Sequence, residues 1–306
     1  MKLYVGVTDN RWFTYNAERR PDEVNFWRPG GRSGFAALEQ GAPFLFKLHS
    51  PENFIAGGGF FYEFSKLPIS LAWRVFGEKN GCPDLPALRK AIIKYKENAP
   101  PPGTDPIIGC IVLAIPFFFP RELWIPPPLN FKPNTVQGKT YETSSGTGKR
   151  IWNEVLARLG TQPGYLELEP EIRKKGPLYV VEGRIGQSGF RTSLIEAYHR
   201  RCAISQERTM PALEASHIKP YNQSGPNKVS NGLLLRADLH QIFDEGYITI
   251  TTDFRIEVSK RIKQEYENGR EYYRFNGLLL PNLPDSPHER PDRSFIQWHN
   301  ENLFRG

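Results

Sequence analysis

Glu214 to Asp244 reads EASHIKPYNQSGPNKVSNGLLLRADLHQIFD, and the rest of the chain is organised around this stretch. Leu213 to Ile218 is a short strand-like run that Lys219-Pro220 ends, because proline has no backbone donor with which to continue a ladder. Turn formers crowd the segment from Asn222 to Gly232, closing with Asn231-Gly232, a dipeptide suited to a type I′ turn. Gly232 to Leu235 reads as the returning strand. Arg236 to Glu245 reads as one short helix, with Leu239, Ile242 and Phe243 on its apolar side and Gly246 as its stop. The unit is strand, loop, strand, helix.

His240 and Asp244 are four residues apart, so on a helix they lie one above the other and can hold one divalent ion from the same face. The loop places His217 opposite them. Hydrolysis of a phosphodiester needs a cation to stabilise charge on the leaving oxygen and a base to activate water. This constellation supplies both.

His217, Asn231 fourteen residues on and His240 nine further resemble the HNH motif of the ββα-metal endonucleases. The resemblance extends to Arg184, Gly186, Gln187, Phe190 and Arg191, to Tyr198, Arg201 and Cys202, and to the tail from Trp298 to Asn302. Over roughly residues 180 to 306 the chain resembles the C-terminal domain of bacterial HNH restriction endonucleases. The resemblance implies that His217 is the general base and that Asn231 bonds across the loop to fix its imidazole. It implies that His240 is a ligand of one divalent metal, Mg²⁺ or Mn²⁺, and that Asp244 is a second helix ligand. Ser216 stands where many members carry another ligand, and it is a poor donor to a hard cation. Glu214, on the same strand face, is the expected substitute, with Asp238 as the other candidate. Many members also hold a structural zinc through paired CxxC motifs. Ser205 replaces the second thiol after Cys202 and no later cysteine follows, so no structural zinc is expected.

Bland readings stand beside these. Asp244 can serve as a helix-end cap and Asn231 as a turn residue. Arg184, Gln187 and Arg191 suit contacts to the DNA backbone or a base edge, or belong to a surface helix packed through Phe190 and Leu194. His49, His199, His288 and His299 read as structural.

At 306 residues and 39% hydrophobic content, the chain has enough apolar material for two cores of ordinary size. The expected division is a first domain over 1–145, a connector over 146–183 and the nuclease domain over 184–306. No apolar run approaches membrane-span length, and charges interrupt the opening MKLYVGVTDNRWF too early for a signal peptide, so a cytoplasmic protein is expected. Cys82, Cys110 and Cys202 form no metal or disulfide pattern. The net charge of +7 favours a polyanionic partner. Residues 1–150 hold 19 Lys and Arg against 13 Asp and Glu, and the remainder 21 against 20, so the basic surplus lies in the half without the HNH-like stretch.

That first half opens with a strand, Lys2 to Thr8. Aromatics interleaved with arginines follow, Trp12, Phe13, Tyr15, Phe26 and Trp27 among Arg11, Arg19, Arg20, Arg28 and Arg32, a mixture suited to base stacking and phosphate contact or to a core with a charged face. Pro43 to Leu48 and Asn53 to Tyr62 read as a hairpin. Its Gly57-Gly58-Gly59 implies a bulge, a barrel bend or a close approach by something else. Ser70 to Phe76 and Ala87 to Glu97 read as helices, and Ile107 to Ile115 as a buried strand. Ser144 to Lys149 lacks the glycine spacing of a phosphate loop and reads as a boundary before a helix over Ile151 to Leu159. Leu178 to Val181 reads as a short strand, and Lys263 to Phe275 as a charged helix.

The hairpin FLFKLHSPENFIAGGGFF distantly resembles the core of the PUA-like superfamily of ASCH, EVE and SRA readers. Several of its members flip a modified base into an aromatic pocket, which makes Trp12, Trp27, Tyr62 and Trp124 cage candidates and Trp27 and Tyr62 the DNA-binding candidates of this half. The expected protein is α+β: a PUA-like mixed β-barrel followed by a ββα-metal nuclease. The expected activity is metal-dependent cleavage of double-stranded DNA, selected by a modified cytosine, in restriction or phage defence, with a homodimer suited to cutting both strands. A nuclease without modification dependence and a DNA-binding protein with a decayed site remain as rival readings.

Overall fold

The computed structural model describes residues 1–30, 34–96, 100–101, 103–132, 135–162, 165, 168–176 and 186–306. The chain divides into two compact units, Met1–Gly189 and Phe190–Gly306.

The first unit is built on one six-stranded sheet: β1 Lys2–Thr8, β2 Glu23–Arg28, β3 Pro43–Leu48, β4 Ile55–Pro68, β5 Ile107–Phe118 and β6 Gly138–Glu142, in the order β2-β5-β4-β3-β1-β6. β1 runs parallel to β3 and every other pairing is antiparallel. The mixed β architecture expected for this half is present, but its sheet is open. Among the described residues β2 and β6 end the sheet without pairing to each other, so the strands do not close into a barrel.

The three glycines of β4 answer to two of the causes anticipated for them. The β4/β5 register shifts between Gly58 and Phe60 and again between Phe61 and Glu63, which bends a strand of 14 residues. Neighbouring backbone also comes very close: a Cβ on Gly57 would collide with the Phe117 carbonyl, and one on Gly58 would stand 2.7 Å from both the Phe44 carbonyl oxygen and the Phe117 ring. The unit's aromatic core, including Trp12, Phe13, Phe44, Phe46, Phe61 and Phe118, packs on this sheet. The helix Asn10–Arg19 is capped by Asp9, whose carboxylate accepts from the amides of Arg11 and Trp12. The helix Gly146–Leu159 begins inside the segment read as a loose boundary, and it buries Ile151, Trp152, Val155, Leu156 and Leu159. The strand expected at Leu178 to Val181 lies outside the described residues.

The second unit follows the strand, loop, strand, helix reading closely. β7 Leu213–His217 pairs antiparallel with β8 Gly232–Arg236, setting Ser216 opposite Leu233 and His217 opposite Gly232. The helix Ala237–Asp244 follows at once. Eight residues cannot hold a helix alone in water. Leu239 and Phe243 are fully buried, and at about 2 to 3 kcal/mol for a buried Leu or Phe side chain it is this packing that fixes the helix against the hairpin. The core also takes in Leu194, Tyr198, Leu233, Leu234, Leu235, the hairpin β9 Ile248–Ile250 with β10 Ile256–Val258, and Ile296 of the C-terminal helix Arg293–Asn302. The single helix expected over Lys263 to Phe275 is two short ones, Arg261–Tyr266 and Arg270–Tyr273. Left-handed backbone at Glu267 (φ 53°) and Gly269 (φ 110°) breaks it. No helix of the described residues is long and apolar enough to cross a membrane.

Candidate active site

Alternation along β7 puts Glu214 and Ser216 on one side of the strand, about 7 Å apart. One turn of the facing helix separates His240 from Asp244 by about 6 Å. The two repeats nearly match, and the side chains meet in pairs. His240 Nδ1 lies 2.7 Å from Glu214 Oε2, and Ser216 donates to Asp244 Oδ1 at 3.3 Å. Asp244 Oδ2 also lies 3.2 Å from His240 Nε2.

The imidazole of His240 is thus held between two carboxylates. Burial works against its charged form, but the hydrogen bonds and charges of Asp244 and Glu214 outweigh it and raise its pKa above the ordinary value. Among the described residues no three His, Cys, Asp or Glu side chains converge as a ready-made metal cage. The spacing on one side of the ring still suits a divalent ion: 3.2 Å between Nε2 and Oδ2 is close to the roughly 3 Å separating adjacent donors in an octahedral shell with bonds of about 2.1 Å. One imidazole and one carboxylate, with waters and phosphate oxygens for the other places, is a set such ions accept. Glu214 sits on the other ring nitrogen. Its place is that of a carboxylate backing a ligating histidine rather than of a donor beside Nε2. Asp238 is engaged elsewhere, in a two-pronged ion pair with Arg236 at 2.6 and 2.7 Å.

His217 ends β7, with its ring stacked on Phe190, centroids 4.1 Å apart and planes 19° apart. Its Nε2 lies 2.8 Å from Asn227 Oδ1. Burial lowers its pKa, and the charge of His240 adds to this; the bond to Asn227 and the charge of Asp244 oppose. The result is an imidazole that stays neutral at ordinary pH, which is the state a base requires. Asn231 is fully buried and does bond across the loop: its Oδ1 accepts from the Lys219 amide at 2.9 Å, and its Nδ2 donates to the carbonyls of Lys219 and Pro226, both at 3.0 Å. The imidazole's own partner is Asn227, which the sequence did not single out from its many turn-forming neighbours. Phe190 was foreseen as a packing residue, not as the plate under His217. Tyr221, 64% exposed and 6.4 Å from the His217 ring, is a further neighbour the sequence reading passed over.

Arg191 donates to the Leu213 carbonyl at 3.2 Å, at the start of β7. Gln187 is exposed, and Arg184 lies outside the described residues. The Cys202 sulfur is buried and accepts from the amides of Ser205 and Arg236, both at 3.3 Å. His299 is structural: buried on Phe243 with centroids 4.0 Å apart, it shares the Thr249 hydroxyl through Nδ1 and reaches the Phe243 carbonyl through Nε2.

The first unit holds a cavity of about 880 Å³ whose lining includes Tyr4, Trp12, Phe26, Trp27, Phe35 and Tyr95. Asp9, Arg28, His49 and Gln137 supply polar groups along its wall. Burial pushes the Asp9 carboxyl up, but bonds from the Tyr95 hydroxyl and two backbone amides hold it below the ordinary value. His49, read as structural, therefore faces a cavity, where its ring stacks on Tyr95 at 6.2 Å. Of the four cage candidates Trp12 and Trp27 line this space. Tyr62 and Trp124 do not; Tyr62 is 7% exposed within β4, and the Trp124 indole donates to the Phe119 carbonyl.

Residues 202–251 match the HNH endonuclease family. Among solved structures, the ASCH protein from Zymomonas mobilis is 12% identical, with 51% of this chain and 94% of that one covered at a TM-score of 0.32. The modification dependent TagI restriction endonuclease is 14% identical, covering 92% and 75% at a TM-score of 0.29. The type IV phosphorothioation-dependent restriction endonuclease ScoMcrA is 12% identical, covering 98% and 53% at a TM-score of 0.23. No curated protein sequence matches this chain.

Proposed function

We propose that the protein is a metal-dependent DNA endonuclease of restriction type, with its chemistry in the hairpin and helix of residues 213–244 and its selection of DNA in the aromatic cavity of the first unit. The observation that carries the proposal is the His240–Asp244 pair, 3.2 Å apart within the segment that matches the HNH family and near enough to His217 for both charges to act on its pKa. His217 takes a proton from the attacking water. His240 Nε2 and Asp244 Oδ2 would hold one divalent cation, Mg²⁺ or Mn²⁺, whose chemistry when bound is to neutralise the charge that grows on the phosphodiester and its leaving oxygen. Glu214 keeps the His240 ring in place from behind by accepting from Nδ1. Asn231 locks the loop between the strands and so fixes where His217 stands. Ser216, the residue out of keeping with many HNH sites, hydrogen-bonds Asp244.

The cavity supports a flipped, modified base as the feature read. A base needs a flat apolar slot with a few polar groups on its edge, and Trp12, Trp27, Phe26 and Tyr4 with Asp9 and Gln137 provide that kind of lining. A modified cytosine in double-stranded DNA is the substrate feature proposed, and cytoplasmic phage defence by a homodimer the setting.

The test is plasmid cleavage with Mg²⁺ or Mn²⁺ on unmodified, 5-methylcytosine and 5-hydroxymethylcytosine DNA, with EDTA and His217→Ala controls. Cleavage of modified DNA alone, abolished by both controls, is the expected result. Equal cleavage of all three overturns the base-reading part, and cleavage by His217→Ala at the wild-type rate overturns the catalytic part.

A further inference from the structure

We propose that Asn227 is the positioning residue that decides which nitrogen of His217 acts as base, an assignment that rests on the base reading of His217 above. Asn227 Oδ1 lies 2.8 Å from His217 Nε2. An amide oxygen offers only lone pairs, so the contact is a hydrogen bond only if Nε2 carries the proton. Neutral His217 is then the Nε2–H tautomer, and its lone pair is on Nδ1. Among the described residues Nδ1 has no hydrogen-bond partner, which leaves it open to a water molecule. The Phe190 ring, 4.1 Å away and nearly parallel, holds the imidazole flat and resists the rotation that would exchange the two nitrogens.

Asn231 does not do this work, because its amide is committed to Lys219 and Pro226. The two asparagines divide the task. Asn231 pins the Pro226 carbonyl, and the next residue, 8% exposed, carries the oxygen that meets the ring. In the reaction the water O–H bond breaks, its proton goes to Nδ1, and the hydroxide oxygen forms the new bond to phosphorus as the ester oxygen leaves. The imidazolium keeps its Nε2–H on Asn227, and that bond strengthens as the ring becomes charged.

Long-range ¹H–¹⁵N correlation spectra of the full chain, without metal and at a pH where His217 is neutral, read the tautomer directly; His217→Ala identifies the signals. The expected wild-type result is the Nε2–H form. Asn227→Ala is expected to give a mixture of tautomers and to slow single-turnover cleavage by about 10- to 100-fold, whereas Asn227→Asp keeps the tautomer and recovers most of the rate on the alkaline side. An Nδ1–H wild type, or an unchanged tautomer in Asn227→Ala beside an inactive His217→Ala, overturns the role of Asn227 alone. Undiminished cleavage by His217→Ala overturns the base reading, and with it any catalytic meaning for Asn227. An Nδ1–H wild-type spectrum overturns the role of Asn227 even if a variant fails to fold.

Discussion

Asp244 Oδ2 stands 3.2 Å from His240 Nε2 while Glu214 Oε2 stands 2.7 Å from His240 Nδ1, so the two carboxylates flanking this histidine occupy different nitrogens, and under the proposed function one is a ligand and the other its backing. Removing a ligand and removing the residue that backs a ligand then have unequal effects. Glu214→Gln should weaken Mn²⁺ binding by about 10- to 100-fold, and Asp244→Ala should weaken it more. Calorimetric titration checks this. Equal losses, or a larger one for Glu214→Gln, would put Glu214 in the shell.

His217 is held below the ordinary value of 6.5. A base must be neutral, so the acid limb of a single-turnover pH profile should have its midpoint below 6.5 and cleavage should persist into mildly acidic solution. His217→Ala should lower the rate by about 10² to 10⁴ at every pH. A midpoint above 6.5 would mean that some other group titrates.

His299 is shifted in the same direction as His217, and its shift bears on the stability of the fold. Burial pushes its pKa down to about 4, against the ordinary 6.5, with the Phe243 carbonyl and the charge of Asp244 opposing. Between those values the unfolded chain binds a proton that the native chain does not, so stability falls as pH drops from 6.5 towards 4. The full difference corresponds to about 3 kcal/mol. Urea midpoints measured across this range should fall for the wild type and flatten in His299→Gln; parallel curves would refute the assignment.

Trp27 should act on selection and not on chemistry. A base stacked on an aromatic ring gains about 1 to 3 kcal/mol, so Trp27→Ala should weaken binding of modified DNA by roughly 5- to 150-fold. The single-turnover rate at saturating DNA should be unchanged. Filter binding and single-turnover kinetics together test the pair of outcomes.

The hairpin and helix around the site could be read from the sequence because each carries a local signal: the strand-like run Leu213 to His217 stopped by Lys219-Pro220, and apolar residues at helical spacing up to Phe243. The type I′ turn expected at Asn231-Gly232 is not formed: Asn231 closes a 3₁₀ turn over Val229–Asn231, and Gly232, at φ −143°, already belongs to β8. Asn227 could not be read this way, because it is one of eight turn-forming residues between the strands and its meeting with His217 is set by how the loop closes. The open sheet was equally hidden. Whether β2 and β6 meet depends on the bending of β4 and β5 over their whole length, and no residue signals that sum. The break at Glu267 and Gly269 did have a signal in the dipeptide Asn268-Gly269, a turn former inside the stretch read as one charged helix.

Glu214, His217, Asn227, Asn231, His240 and Asp244 all come from 31 consecutive residues. Few long loops need closing to bring them together, and loop closure grows costlier only slowly with length. The machinery is therefore portable: the 14 residues from Ile218 to Asn231 can change in length at small entropic cost as long as the two asparagines keep their reach. One residue added within β7 would instead turn Glu214 and Ser216 away from the helix.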